Sequence, residues 1–318
     1  MRILMITSEW PTPERPNAVP FVVRQVDFLR RAGVQVDVFH FRGGKNLFRY
    51  MQAWFRVRST LAQTSYDLIH AQFGQSGLLA LFPKRLPLVV TFRGDDLEGI
   101  VGDDRKYMLA GKILRQVSRF VASRADAVIL VSEHFSKYLS RKDVTVLPSG
   151  LDLTLFRTMP REEARRHLGL PADQTLVLFA GNPAEARKRF KLAQAAVNNI
   201  PGAQLVVAWN VPHAHIPLFM NACDAMIFTS MHEGSPNVVK EALACNLPVV
   251  SVEVGDVRRW LSAVDGCVLC KDDQPDTLTC ALREVLQRHT RVNGRPAILE
   301  IEESLQTQKV IQIYEKLL

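Results

Sequence analysis

The chain has 318 residues, which suggests two domains, and an apolar content of 47% supports sizeable cores. No run reaches the ~18 apolar residues that a membrane-spanning helix needs, and the opening Met1–Thr7 soon meets Glu9 and a proline-rich loop, so it reads as a first strand and not as a leader. The net charge of +8 lies wholly in the first half: residues 1–150 carry 22 Lys and Arg against 13 Asp and Glu, and residues 151–318 carry 18 against 19. Such asymmetry points to an anionic partner for the first half, whether a membrane surface, a phosphorylated acceptor or nucleic acid. The five cysteines are odd in number and sit mostly in apolar surroundings, as buried thiols of a cytosolic protein do. The C-x-x-C pair Cys267 and Cys270 has no second pair or histidine cluster to make a metal or redox site.

Residues 2–7 predict a strand. A loop with Pro11, Pro13, Pro16 and Pro20 follows, then an amphipathic helix over 21–31 that ends before Gly33, and a second strand over 34–40. This is a βαβ opening. No G-x-G-x-x-G follows the first strand, which argues against a dinucleotide oxidoreductase. Residues 45–63 interleave basic and aromatic side chains: Lys45, Phe48, Arg49, Tyr50, Trp54, Phe55, Arg56 and Arg58. As a helix, the segment either covers the sheet or lies at an anionic bilayer surface. A strand over 67–71 ends at His70 and leads through Gly74 into a Leu-rich helix. The next strand, 88–92, runs into Arg93-Gly94-Asp95-Asp96. Residues 105–124 carry six cations, of which Arg105, Lys112, Arg115 and Arg119 share a helical face. The stripe is either a solvated face or a contact for lipid head groups or an acceptor pyrophosphate. No recognition motif for nucleic acid accompanies it. A strand over 127–131 precedes Val144 to Asp152, where Gly150 offers backbone freedom at a hinge.

The second half opens with a strand over 175–180, then Gly181-Asn182-Pro183 and Arg187-Lys188-Arg189. Three cations at a helix start are unfavourable unless an anion sits nearby, so this loop is expected to bind phosphate. A strand over 204–209, a short helix within 211–221 and a strand over 225–229 follow. Next comes His232-Glu233-Gly234-Ser235-Pro236-Asn237-Val238-Val239-Lys240-Glu241, and then a strand at 247–251. Ser235 can cap a helix with Pro236 at its first position. That helix starts beyond a strand's C-terminal end, where open α/β sheets bind ligands. A loop with Gly255-Asp256, a short strand at 266–269 and helices over 275–289 and 303–317 complete the chain.

The stretch Glu233 to Glu241 resembles the E-x7-E signature of the retaining, sugar-nucleotide-dependent glycosyltransferases of family 4, the group 1 glycosyltransferases. The resemblance extends over most of the chain. It implies the GT-B fold: α/β, with two Rossmann-like domains whose parallel sheets face each other across a cleft. The boundaries would be 1–152 for an acceptor-side domain, 153–302 for a nucleotide-sugar domain, and 303–318 for a terminal helix crossing back to the first. By the same resemblance Glu241 would hold the ribose hydroxyls and Glu233 the transferred sugar. Lys188 would neutralise the pyrophosphate with Arg187 or Arg189. Gly181, Asn182, Gly234, Ser235, Pro236, Asn237 and Val238 would line the donor. His70 and Thr91-Phe92-x-Gly94-x-Asp96 match a further family pattern, in which Arg93 stands where a histidine is usual and Asn182 where an arginine is usual. An arginine is always charged and cannot serve as a base, so Arg93 would stabilise phosphate charge or hold a hydroxyl. Asn17, His70, Gly74 and Asp96 are the candidates on the acceptor side. No Asp-x-Asp is present, so no metal is expected and no cofactor beyond the donor, a UDP-sugar or GDP-sugar. The acceptor would be a lipid-linked or anionic glycan, met in the cytoplasm or peripherally at the inner membrane face. A sugar-nucleotide epimerase of the same fold and a non-catalytic sugar-nucleotide-binding subunit are the alternatives.

Overall fold

The computed structural model of the protein describes residues 1–44, 46–82, 84–102 and 106–318. Lys45 and Arg105 of the two basic stretches lie outside the described residues. The chain divides into two units, Met1–Gly150 with Glu303–Leu318, and Leu151–Glu302.

The first unit runs β1 (Arg2–Thr7), α1 (Pro20–Arg31), β2 (Gln35–His40), α2 (Leu47–Gln63), β3 (Leu68–Gln72), α3 (Gly74–Leu81), β4 (Leu88–Phe92), α4 (Asp95–Glu98), α5 (Leu109–Arg124), β5 (Ala127–Leu130) and β6 (Thr145–Val146). The strands form one parallel sheet in the order β2-β1-β3-β4-β5-β6. Both faces are covered, so β3 and β4 are buried at every position, His70 and Gln72 of β3 included.

The second unit runs α6 (Arg161–Leu168), β7 (Thr175–Ala180), α7 (Phe190–Asn198), β8 (Ala203–Ala208), α8 (Ile216–Ala222), β9 (Ala225–Phe228), α9 (Asn237–Ala244), β10 (Val249–Ser251), α10 (Val257–Leu261), β11 (Val268–Leu269) and α11 (Pro275–Gln287). Its parallel sheet has the order β11-β10-β9-β7-β8. Side chains alternate between the two faces of each strand. Leu176, Leu178, Met226 and Phe228 therefore pack on Val239 and Leu243 of α9, while Val177, Phe179 and Ile227 pack on α7 and α11. Helix α6 is a feature that apolar periodicity does not announce. Five of its eight residues are charged, yet Ala164 and Arg165 are buried. Arg165 crosses into the unit to donate to the Ala222 carbonyl and to pair with Asp224, both at 2.9 Å.

The last helix, α12 (Glu303–Glu315), returns to the first unit. Val310 and Tyr314 join Ile3, Met5 and Leu29 in a core. Arg24 of α1 pairs with Glu303 at 2.8 Å, and both side chains are buried. The Arg24 guanidinium also donates to the Gly150 carbonyl at 2.5 Å. A Cβ on Gly150 would lie 2.6 Å from the Glu303 carboxyl group. Glycine is needed there for close approach rather than for the hinge freedom expected from sequence. Among the described residues no helix is long and apolar enough to cross a membrane. Cys223, Cys245 and Cys270 are buried free thiols, whereas Cys267 is half-buried and Cys280 is exposed.

The terminal helix is fastened by a buried polar contact. His70 on β3 is fully enclosed, with Nδ1 2.6 Å from the Tyr314 hydroxyl and Nε2 2.8 Å from Thr91 Oγ1. Burial, helped by the nearby Arg93 charge, pushes its pKa down to about 3. Its folded pKa thus lies below the ordinary 6.5, so unfolding takes up a proton, and the contribution present above that value is lost as pH falls towards 3. The stability of the wild-type protein should therefore drop more steeply below pH 6.5 than that of His70→Gln, with a difference in slope worth on the order of 2 kcal/mol by pH ~4.5. Urea unfolding of the two proteins across that range measures it; parallel curves would refute the assignment.

Candidate active site

A cluster of paired charges forms in the second unit where β7 and β9 end. After Gly181 the chain turns through Asn182, whose Oδ1 accepts from the Ala184 amide at 3.0 Å. A short 3-10 turn, Ala186–Lys188, then presents the basic triplet before α7 begins. This loop is tied to the segment after β9: Thr229 Oγ1 donates to the Lys188 carbonyl at 2.8 Å, and the Met231 amide donates to the Arg187 carbonyl at 2.9 Å. As a result Lys188 Nζ reaches Glu233 Oε1 at 2.5 Å and Arg187 Nη1 reaches the same oxygen at 3.1 Å. Burial pushes the Glu233 carboxyl up, but the Lys188 and Arg187 charges outweigh it and hold its pKa below the ordinary value. Glu233 is therefore an anion, met by Lys188 and by Arg187, and the Arg187 guanidinium also pairs with Glu185.

Arg189 does not join this group. It adopts a left-handed backbone, with φ 51°, donates to the Thr229 carbonyl at 2.5 Å and pairs with Asp273. Of the two arginines weighed from sequence, only Arg187 meets Lys188 and Glu233.

Helix α9 begins at Asn237, with Pro236 in the capping position and no side-chain cap. Ser235 is thus not the cap expected from sequence. Its hydroxyl donates to Asp256 Oδ2 at 2.7 Å and accepts from buried Lys240 Nζ at 3.0 Å. This leaves the amides at the start of α9 without a side-chain cap, next to Asn237 and Val238. Gly255, with φ 57°, is pressed against the loop from the other side, and a Cβ there would lie 2.6 Å from the Glu233 carbonyl and 2.7 Å from the Gly234 carbonyl. Glu241 is buried inside α9 and lies 3.0 Å from His213 Nε2. His213 sits in the turn between β8 and α8, with its ring edge-on to Phe156 at 5.3 Å. Neither His213 nor the Lys240–Ser235–Asp256 contact was singled out from sequence. Each joins segments separated by loops, and no local spacing signals it.

The acceptor-side candidates of the first unit fare differently. Arg93 lies just past β4, and its guanidinium donates to Gln72 Oε1 at 2.8 and 3.0 Å, to Ser149 Oγ at 2.7 Å and to Gln25 Oε1 at 3.2 Å. It also stacks over Phe21 at 4.8 Å. Burial lowers its pKa to about 10, so it remains a cation at neutral pH. Asp96 is buried and accepts from the Gly94, Arg93 and Gly74 amides at 2.9, 3.2 and 3.3 Å, while burial pushes its pKa up to about 6. It shapes the loop after β4 rather than meeting a solute. Gly74 is buried because α3 crosses α5 closely, and a Cβ there would overlap the Ser118 side chain. With enclosed His70, three of the four residues expected to face an acceptor are interior. Their sequence pattern reflects buried polar contacts. Asn17 is exposed in the loop before α1.

Two family models match in succession: the Glycosyl transferase 4-like domain over residues 5–150 and Glycosyl transferases group 1 over residues 161–288. TuaC of Bacillus subtilis (strain 168), named as a glycosyltransferase of teichuronic acid biosynthesis, is 26% identical over 81% of this chain and 82% of its own length. A D-inositol 3-phosphate glycosyltransferase of Geodermatophilus obscurus is 26% identical over 70% of this chain and 60% of its own. Among solved structures, sucrose-phosphate synthase of Thermosynechococcus elongatus superposes with a TM-score of 0.85 at 18% identity, covering 99% of this chain and 98% of that one. Anabaena Alr3699/HepE in complex with UDP-glucose superposes with a TM-score of 0.74 at 18% identity, covering 100% of each chain. The two parallel α/β units are those of the GT-B fold. With both units matched in order, the chain belongs to the group 1 glycosyltransferases.

Proposed function

We propose that the protein moves a sugar from a nucleotide-diphosphate donor to an acceptor hydroxyl with retention of anomeric configuration. The observation that carries this reading is the convergence of Lys188 and Arg187 on Glu233, beside the uncapped start of α9. Such a site suits a ligand that is both a polyol and a polyanion. Lys188 and Arg187 would meet the diphosphate, and the α9 amides at Asn237 and Val238 would bind its oxygens. Glu233, ionised, would accept hydrogen bonds from the sugar hydroxyls, and Glu241 from the ribose. That a UDP-glucose complex is known for a structural neighbour supports a nucleotide-sugar donor.

In the transfer, the bond from the anomeric carbon to the diphosphate oxygen breaks and a bond to the acceptor oxygen forms on the same face. The acceptor proton passes to the departing diphosphate. Charge accumulates on the leaving group in the transition state, and two fixed cations stabilise it there more than in the ground state. On this reading the cations fill the role that a divalent metal takes in other transferases, and turnover should persist in a chelator. The acceptor in this reading is an anionic or lipid-linked glycan of cell-surface polysaccharide or glycolipid synthesis; the relatives named for teichuronic acid biosynthesis and for D-inositol 3-phosphate support its anionic character. A sugar-nucleotide-binding subunit without transfer is the second reading, because the Arg93 guanidinium is turned towards its own unit's side chains.

Release of nucleotide diphosphate from a panel of sugar nucleotides, with and without acceptor, separates the readings. Transfer releases nucleotide diphosphate only when acceptor is present; epimerisation needs no acceptor and releases none, but converts the sugar nucleotide into its epimer, which chromatography of the recovered sugar nucleotide detects; a binding subunit shows neither. Lys188→Ala should lower kcat about 10²- to 10³-fold with the thermal midpoint nearly unchanged, since Arg187 still pairs with Glu233. Unaltered turnover would defeat the assignment. Glu241→Gln should raise the donor KM about tenfold with a smaller change in kcat, as expected for a contact made equally in the ground and transition states. Steady-state kinetics in donor concentration measures this, and a pure kcat effect would contradict it.

A further inference from the structure

The first unit exposes large apolar side chains on two helices that carry no acidic residue. On α2, Leu47, Phe48 and Phe55 are 76%, 59% and 66% exposed, and Met51 lies on the same face. On α5, Leu109 and Ile113 are 74% and 58% exposed, and Phe120 continues that stripe. Ordinary packing does not account for them, because each helix already buries its opposite face: Ala53 and Val57 on α2, Gly111, Ser118 and Val121 on α5. The two stripes are continuous. Both helices pack on α3. Phe82, just past α3, stacks on Phe120 at 6.2 Å, its carbonyl accepts from Trp54 Nε1 at 2.7 Å, and Trp54 packs edge-on against Phe55 at 4.9 Å.

Along the two helices the charge has one sign. Over Leu47–Gln63 and Leu109–Arg124 there are seven Lys and Arg and no Asp or Glu. Arg49, Arg56, Lys112, Arg119 and Arg124 are exposed beside the apolar side chains. A protein partner would be held by apolar contact at the centre and mixed polarity at the rim. Apolar side chains interspersed with cations, on two helices that each pack on α3, match an anionic bilayer interface, where rings and Leu enter the acyl boundary and Lys and Arg stay among the phosphates. We infer that the α2–Phe82–α5 face of the first unit is a docking surface for an anionic lipid bilayer. The inference carries the lipid-linked acceptor reading further, to the surface that would bring the protein to its substrate. It is a binding property and can be measured without transfer.

Co-sedimentation of the full chain with vesicles tests it. The protein should pellet with phosphatidylcholine vesicles containing about 30% phosphatidylglycerol, weakly with phosphatidylcholine alone, and the anionic binding should weaken several-fold when salt is raised from about 0.1 M to about 0.5 M. The pair Phe48→Ser with Phe55→Ser, and separately Leu109→Ser with Ile113→Ser, should each lower the partition coefficient at least about tenfold. Their thermal midpoints should stay at the wild-type value, because the replaced side chains are exposed. Failure to pellet with anionic vesicles overturns the inference, and so does unchanged partitioning of both pairs. A concentration-dependent dimer by ultracentrifugation, abolished by the same substitutions and accompanied by no vesicle binding, assigns the face to a second copy of this chain and overturns it as well. Nucleotide release from donor is measured separately: its absence alongside intact vesicle binding defeats the transferase reading and leaves the docking surface standing.

Discussion

A carboxylate that is taken out of water must be met by cations, and Glu233 shows that constraint in the second unit. Burial alone would raise its pKa, yet Lys188 and Arg187 keep it ionised. Leaving such a charge without its partners costs about 3–5 kcal/mol, so the basic loop cannot drift from the end of β9 without penalty. The backbone bonds from Thr229 and Met231 to that loop follow the same logic, since they fix where the cations stand before any ligand arrives. Gly255 and the Lys240–Ser235–Asp256 contact press on the other side of the Glu233 loop. These contacts hold Glu233 and the basic loop against one another from both sides.

The first unit uses buried polarity for a different end. Arg24 with Glu303, and His70 with Tyr314, join the returning helix α12 to α1 and to the sheet. Asp96 gathers three backbone amides and so sets the loop that follows β4. Each of these groups would be costly if left unpaired, and pairing makes the attachment of the chain's last segment specific where apolar packing alone would tolerate sliding. Histidine, aspartate and glycine at strand ends can therefore mark internal ties as readily as they mark a ligand site.

How much could be read in advance differed by element. The strands β1, β4, β7 and β9 are short, mostly apolar runs because a covered parallel sheet buries both their faces, and such runs are visible in one dimension. Helix α6 was not visible, because its buried members include Arg165, a charge that is satisfied by the Ala222 carbonyl and Asp224 at a distance in sequence. Ser235 and Pro236 look like a cap followed by a first helical residue. The helix instead starts one residue later, because Ser235 finds Asp256 and Lys240 as partners. Local propensity lost there to a tertiary hydrogen bond.

Glu233 to Glu241 could be singled out from sequence through their resemblance to a family signature that lies within one strand–loop–helix unit, and the basic triplet before α7 through its charge at a helix start. Composition alone likewise located the positive charge in the first half. Which cation meets Glu233 was decided only by the folded chain: Arg187 and Arg189 are two residues apart, but the left-handed turn at Arg189 sends its side chain to Asp273. His213 reaching Glu241, and His70 being closed in by Tyr314, were decided there too. Short-range spacing constrains groups carried on one element, whereas contacts between elements depend on backbone direction and burial, which exist only once the sheets have formed.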